Sequence, residues 1–141
     1  MLTAEAVHLT TLPDSYGAPL AEYYYRAETA LLYIRWHGQL TAAEIIRGVE
    51  GAMLLLATHP FRRVLNDKRD TGGDWSEALP WLQYEWLPRA VAEGIQAIAY
   101  ILSPDLPAQV VSLEFVESVQ PHLHVSLFTS EAEAQRWLAQ H

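Results

Sequence analysis

Five polar residues in a row, Asn66-Asp67-Lys68-Arg69-Asp70, follow a short apolar run around Val64 and Leu65. Two carboxylates and two cations set so close can recognise a polar ligand or hold Mg²⁺. Magnesium sites usually want more carboxylate oxygens plus substrate phosphates, so metal-assisted catalysis by Asp67 or Asp70 is the weakest of these uses. The plain alternative is structural. Asp67 would accept backbone N–H bonds in a loop, and Arg69 would pair with Asp70 or with Glu85. Trp75, Trp81 and Trp86 crowd the next stretch and could wall an apolar pocket or a partner surface. Their spacing puts Trp86 in a core and Trp81 off that face. Glu85 and Arg89 are four residues apart, ordinarily a solvated helix pair worth roughly a few tenths of a kcal/mol. His122 and His124 share one side of a strand, a spacing that can chelate zinc, but no third ligand lies nearby. His37 precedes Gly38 as a turn residue. No Gly-x-Ser-x-Gly elbow, P-loop or Gly-x-Gly-x-x-Gly is present, so nucleophilic-serine and nucleotide-phosphate chemistry lack support. No cofactor is expected.

The elements that must position these residues are legible in the hydrophobic pattern. Val7 to Leu12 can form an extra edge strand, and Pro13-Asp14, Gly17 and Pro19 read as a loop. Glu22 to Ala27 and Leu31 to His37 read as an antiparallel hairpin, with Leu32, Ile34 and Trp36 on one face. Alternation sends Tyr24 to the face opposite Tyr23 and Tyr25, and the exposed part of this tyrosine run suits self-association. Thr41-Ala42-Ala43-Glu44 is a capping box, with Leu40 and Ile45 placed as a staple, and the helix it opens should end at His59-Pro60. Arg62 to Asn66 reads as a short strand and Asp67 to Gly73 as a loop. Asp74 to Gly94 is a second helical region, kinked at Pro88 and closed by Gly94. Ile95 to Leu102 is nearly all apolar, as in a parallel strand buried on both faces. Gln109 to Val119 reads as a helix, His122 to Phe128 as a strand, and Ser130 to Glu133 as a second capping box before a last helix. The order is β-β-α-β-α-β-α-β-α, an α/β class with a five-stranded mixed sheet and flanking helices. The division expected is residues 1–20 as a loop or edge strand and 21–141 as one domain.

Composition limits the partners. The 141 residues carry a net charge of -8 and no cysteine. The negative excess disfavours nucleic acid and anionic membranes, and the missing cysteine removes disulfides and thiolate chemistry. The first twelve residues lack the features of a secretory signal, and no apolar run is long enough to span a bilayer, so a cytoplasmic, bacterial-type protein is expected, with no membrane insertion.

These elements resemble the STAS (anti-sigma-factor-antagonist) fold, and most of all the STAS-like branch of small bacterial proteins grouped with CRAL-TRIO-type domains. The resemblance is carried by Trp36-His37-Gly38, by Asn66-Asp67 with Arg69, by Trp81, by Glu85-Trp86-Leu87-Pro88-Arg89-Ala90 and by Gly94. It covers Glu22 to Leu138. It implies a non-enzymatic binding or regulatory module acting on a protein partner or on itself, as a homodimer. The surface would be the Asp67–Gly73 loop and the second helix: Asp67, Arg69, Asp70, Thr71, Trp75, Trp81, Glu85 and Arg89, with Glu85 and Arg89 bracing the loop. In the antagonists an Asp-Ser-Ser-Gly motif carries the phosphorylated serine. Here the nearest stretch is Asp70-Thr71-Gly72-Gly73, so Gly72 stands where that second serine would be and Thr71 is the hydroxyl left. A carrier of a small apolar or amphipathic ligand and an enzyme using Asp67 or Asp70 are the alternatives.

Overall fold

The computed structural model describes residues 6–141. Its centre is a six-stranded sheet in the order β1-β2-β3-β4-β5-β6. The strands are β1 (Val7–Pro13), β2 (Pro19–Arg26), β3 (Leu31–Gln39), β4 (Arg63–Gly72), β5 (Ala97–Ile101) and β6 (His124–Phe128). β1, β2 and β3 pair antiparallel, and β3 to β6 run parallel. The sheet has six strands rather than five because Val7–Pro13 takes up the edge position on the tyrosine-rich β2. Asp14 shapes the tight connection between them, its carboxylate accepting the N–H groups of Tyr16 and Ala18.

Three connections cross from one parallel strand to the next. They are α1 (Ala42–Leu55), the segment α2, and α3 (Leu106–Val119). α2 is built from consecutive turns, a 3₁₀ turn at Ser76–Ala78, then Leu79–Trp81, a π-helical turn at Leu82–Trp86, and Leu87–Ala92. Right-handed crossovers in one direction along a sheet put all three on the same face. They bury one large core there, including Ile45 and Met53 of α1, Leu82 and Trp86 of α2, and Val111 and Phe115 of α3. After β6 the chain turns to the other face, where α4 (Glu131–Leu138) packs Ala134 and Leu138 on Leu31, Tyr33, Leu65 and Ala99.

Local chemistry explains the ends. Thr41 accepts the Glu44 N–H while the Glu44 carboxylate accepts the Thr41 N–H, so two unpaired donors of α1 are satisfied together. α1 stops at Leu55, one turn earlier than the His59-Pro60 boundary suggests, as the Leu56 and Thr58 N–H groups turn to the carbonyls three residues back, Met53 and Leu55. Pro88 has no N–H to continue the ladder, and the helix takes up the defect as the π turn just before it. Gly94 ends α2 at φ +90°, a conformation that a Cβ disfavours.

Asp67 to Gly73 is the main departure from the pattern. It is not a loop: β4 runs on to Gly72. The parallel ladder continues past a bulge, with Arg35 opposite Asp67 but His37 opposite Asp70, so Lys68 and Arg69 together face Trp36. The strand ends tied down. The Leu40 N–H donates to the Gly72 carbonyl at 2.8 Å, and the Gly73 N–H donates to Asp105 at 2.9 Å.

Candidate functional site

Alternation along β4 divides its polar half between the two faces of the sheet. Asp67 and Arg69 point to the α4 side. There the Tyr33 hydroxyl donates to Asp67 Oδ2 at 2.7 Å. Arg69 donates to the same carboxylate from its backbone N–H, from Nε at 3.0 Å and from Nη2 at 2.6 Å, a bidentate pair. Arg69 Nη2 also donates to Glu131 at the start of α4. Asp67 is 1 % exposed. Burial pushes its carboxyl pKa up, but the hydrogen bonds from Arg69 and Tyr33 outweigh that and hold it below the usual range. Tyr33 is pushed up by burial and by the neighbouring carboxylate, so it stays a phenol.

The rest of this face is paired in the same manner. Arg35 donates from Nε and Nη2 to Asp70 Oδ2, and His37 Nε2 lies 2.7 Å from Glu22. Arg69 therefore pairs with Asp67 and Glu131 instead of Asp70 or Glu85. The reason is that α4 closes over this face while Asp70 is claimed by Arg35 across the bulge. The carboxylates that carried the enzyme reading, Asp67 and Asp70, are each engaged by an arginine.

The opposite face holds Asn66, Lys68 and the aromatic residues. Trp36 Nε1–H donates to Asn66 Oδ1. Lys68 is buried with its ammonium among Trp36, Trp75 and Tyr100. Beside it lies a cavity of about 60 Å³, bounded by β3, β4, β5 and the three crossover helices. A carrier of a drug-sized ligand needs a cavity of roughly a few hundred Å³, so this one suits a molecule of a few atoms.

The eight candidate residues thus fall into separate places. Asp67, Arg69 and Asp70 belong to the α4 face. Thr71 is buried near the end of β4, its hydroxyl donating to the Lys68 carbonyl at 2.8 Å; a phosphate could reach it only if that end opened. Trp75 is core and touches Lys68. Trp81 is half-buried against the large core. Glu85 and Arg89 are exposed on α2, across the sheet from Asp67, and do not brace it; among the described residues they form no ion pair. Lys68 and Tyr100 are the chemically notable residues whose burial side by side polarity does not show. The signal for Lys68 is its parity with Val64 and Asn66, once β4 is extended past Asn66.

Among the described residues no group of three His, Asp or Glu side chains could hold a metal, and no helix is long and apolar enough to cross a membrane. His122 lies in the turn before β6 and His124 at its first residue, both exposed.

The exposed surface carries one further feature. α3 carries apolar side chains beyond its buried face. Its inner face supplies Val111, Phe115 and Val119 to the core, while Leu106, Val110 and Leu113 are 50 % exposed or more. These three recur at the i, i+4, i+7 spacing of one helix stripe. Glu114 and Glu117 border it.

Comparisons with curated proteins and with solved structures found no match. A family model described as SpoIIAA-like matches residues 31–139, from the first residue of β3 to just past α4. The match bears out the STAS-like resemblance and the α/β class with a mixed sheet and flanking helices. The chain belongs to the SpoIIAA-like family, whose domains are in general regulatory or binding domains of the anti-sigma-factor-antagonist type.

Proposed function

We propose that this domain is a non-enzymatic binding module that engages a protein partner through the outer face of α3. The observation that carries the reading is the Leu106–Val110–Leu113 stripe, apolar side chains left in water on a helix that has already buried its other face. An amphipathic helix or sheet edge laid on such a stripe removes it from water at roughly 25 cal/mol per Å². The bordering Glu114 and Glu117, in a chain of net charge -8, favour a partner with Lys or Arg around its apolar contact. They disfavour a second copy of this chain, which would bring the same carboxylates.

In this reading the polar half of β4 is a brace. Asp67, Arg69, Tyr33 and Glu131 tie β3, β4 and α4 together, and the partner surface lies on the other side of the sheet.

The test is a double substitution, Val110→Glu with Leu113→Glu. Both residues are about half exposed, so the fold should tolerate it. Affinity capture from cells that encode the protein should retain a protein on the native chain and lose it on the variant. Equal retention by both would contradict the assignment to α3.

A further inference from the structure

Lys68 is 3 % exposed, and the three ring centroids around its Nζ lie at 3.9 Å (Trp75), 5.1 Å (Trp36) and 5.1 Å (Tyr100). Among the described residues the ammonium has no ion pair and no hydrogen-bond acceptor. Ring faces attract a cation but do not replace the hydration that burial removes. Among the described residues no carboxylate pairs with the Lys68 ammonium. Asp67 and Asp70 are engaged with arginines on the other side of the sheet, and Asp105 accepts from the Gly73 N–H.

A second donor shares the same cavity. Trp75 Nε1–H is fully buried and has no acceptor. Buried donors without partners are rare and ask for an explanation. This indole N–H and the Lys68 ammonium, which has no acceptor, belong to residues lining one cavity of about 60 Å³, whose other walls are largely apolar, Met53 and Ile45 among them. That volume holds about two water molecules or a molecule of a few heavy atoms. The matching chemistry is an acceptor with negative charge and two oxygens, one for the ammonium and one for the indole N–H, on a short apolar body.

We propose that the Lys68 cavity is a binding site for a small monocarboxylate of two or three carbons (about the limit the cavity allows). The carboxylate neutralises Lys68 and accepts from Trp75, and the alkyl end lies against the apolar wall. This site is separate from the α3 stripe, though α3 touches it through Phe115, whose ring packs on Trp75 and Tyr100, and through Ser112, which donates to the Tyr100 hydroxyl at 2.8 Å. Tyr100 is the other titratable group lining the cavity, and burial keeps it a phenol. Binding therefore follows the charge of Lys68. Burial lowers the lysine's pKa well below its ordinary value, and a bound carboxylate restores the charge.

The experiment is thermal unfolding of the full chain near neutral pH in sodium propionate, in sodium chloride of equal ionic strength, and in propionamide. Propionate should raise the Tm of the native chain above that in chloride, propionamide should not, and Lys68→Met should lose the rise. No propionate-specific rise, an equal rise in chloride, or an equal rise in Lys68→Met would overturn the assignment. If Lys68→Met does not fold, the indole N–H resonance of Trp75 in the native chain decides. A shift with propionate and none with propionamide supports the site, and no shift with propionate overturns it.

Discussion

Lys68 and Asp67 are adjacent in the chain, face opposite sides of the sheet, and shift in the same direction for different reasons. Burial lowers the Lys68 pKa below that of the unfolded chain. Between those two values the unfolded state binds the extra proton, so this residue makes stability rise with pH. Measured by denaturant unfolding, the stability of the native chain relative to Lys68→Met should climb as pH rises from the lowered folded pKa toward that of the unfolded chain. Above that range the buried tyrosines, raised by burial, work the other way. Where the ammonium is charged, Lys68→Met should be the more stable, because it removes a buried cation without a counter-ion. A flat difference across the range would mean the ammonium is solvated or paired. Asp67 is the acid-side counterpart. Its folded pKa lies below the ordinary value, so its contribution is present above that value and is lost as pH falls through the folded one. Asp67→Asn should cost about 2–3 kcal/mol at pH 7, since Arg69 is 40 % exposed and water screens what remains, and it should flatten the acid limb. Sequence polarity picked out Asp67 and Arg69, and both matter, but as a mutual pair. Polarity marks Lys68 as a cation of the run but not as a buried one, because a lysine inside a polar run reads as a surface residue. Its face depends on whether β4 continues, and only the ladder with β3 decides that.

At the scale of elements, the parts legible in the sequence are those fixed by short-range rules. The Thr41–Glu44 box starts α1, the apolar run marks β5, and the 3.6-residue spacing from Trp75 to Ala90 marks the buried side of α2. Thr41→Ala should cost about 1 kcal/mol by chemical denaturation, the usual worth of such a cap. The second half of β4 was not legible. Asp67-Lys68-Arg69-Asp70-Thr71-Gly72 has turn-like composition, yet it is a strand because Gly38 and Gln39 extend the β3 ladder and Tyr33, Arg35 and Glu131 partner its charges. Tertiary pairing outweighs local propensity here. Close packing sets another limit. A Cβ on Gly48 of α1 would come within 2.2 Å of the Trp36 ring, and one on Gly51 within 2.7 Å of the Tyr23 hydroxyl. Helix propensity alone favours Gly48→Ala by about 1 kcal/mol. The buried indole cannot yield, so the variant should instead lose roughly 1–3 kcal/mol, read from the urea midpoint. A gain in stability would show that α1 can lift from the sheet.

At the scale of the whole molecule, the two faces of the sheet divide the work. The α4 face is a set of paired charges that closes β3 and β4 under a short helix. The other face holds the large aromatic core, the Lys68 cavity, and beyond them the exposed stripe of α3. The family match places the chain among regulatory and binding domains, and the proposed partner surface is the exposed Leu106–Val110–Leu113 stripe of α3. The measurement that bears most directly on this is amide hydrogen exchange of the chain with and without its captured partner. Side chains of the stripe lie over the backbone of residues 106–113, so binding there should slow exchange in that segment while β4 stays unchanged. Protection confined to the β1–β2 edge or to the exposed side of α2, with 106–113 unaffected, would contradict the account.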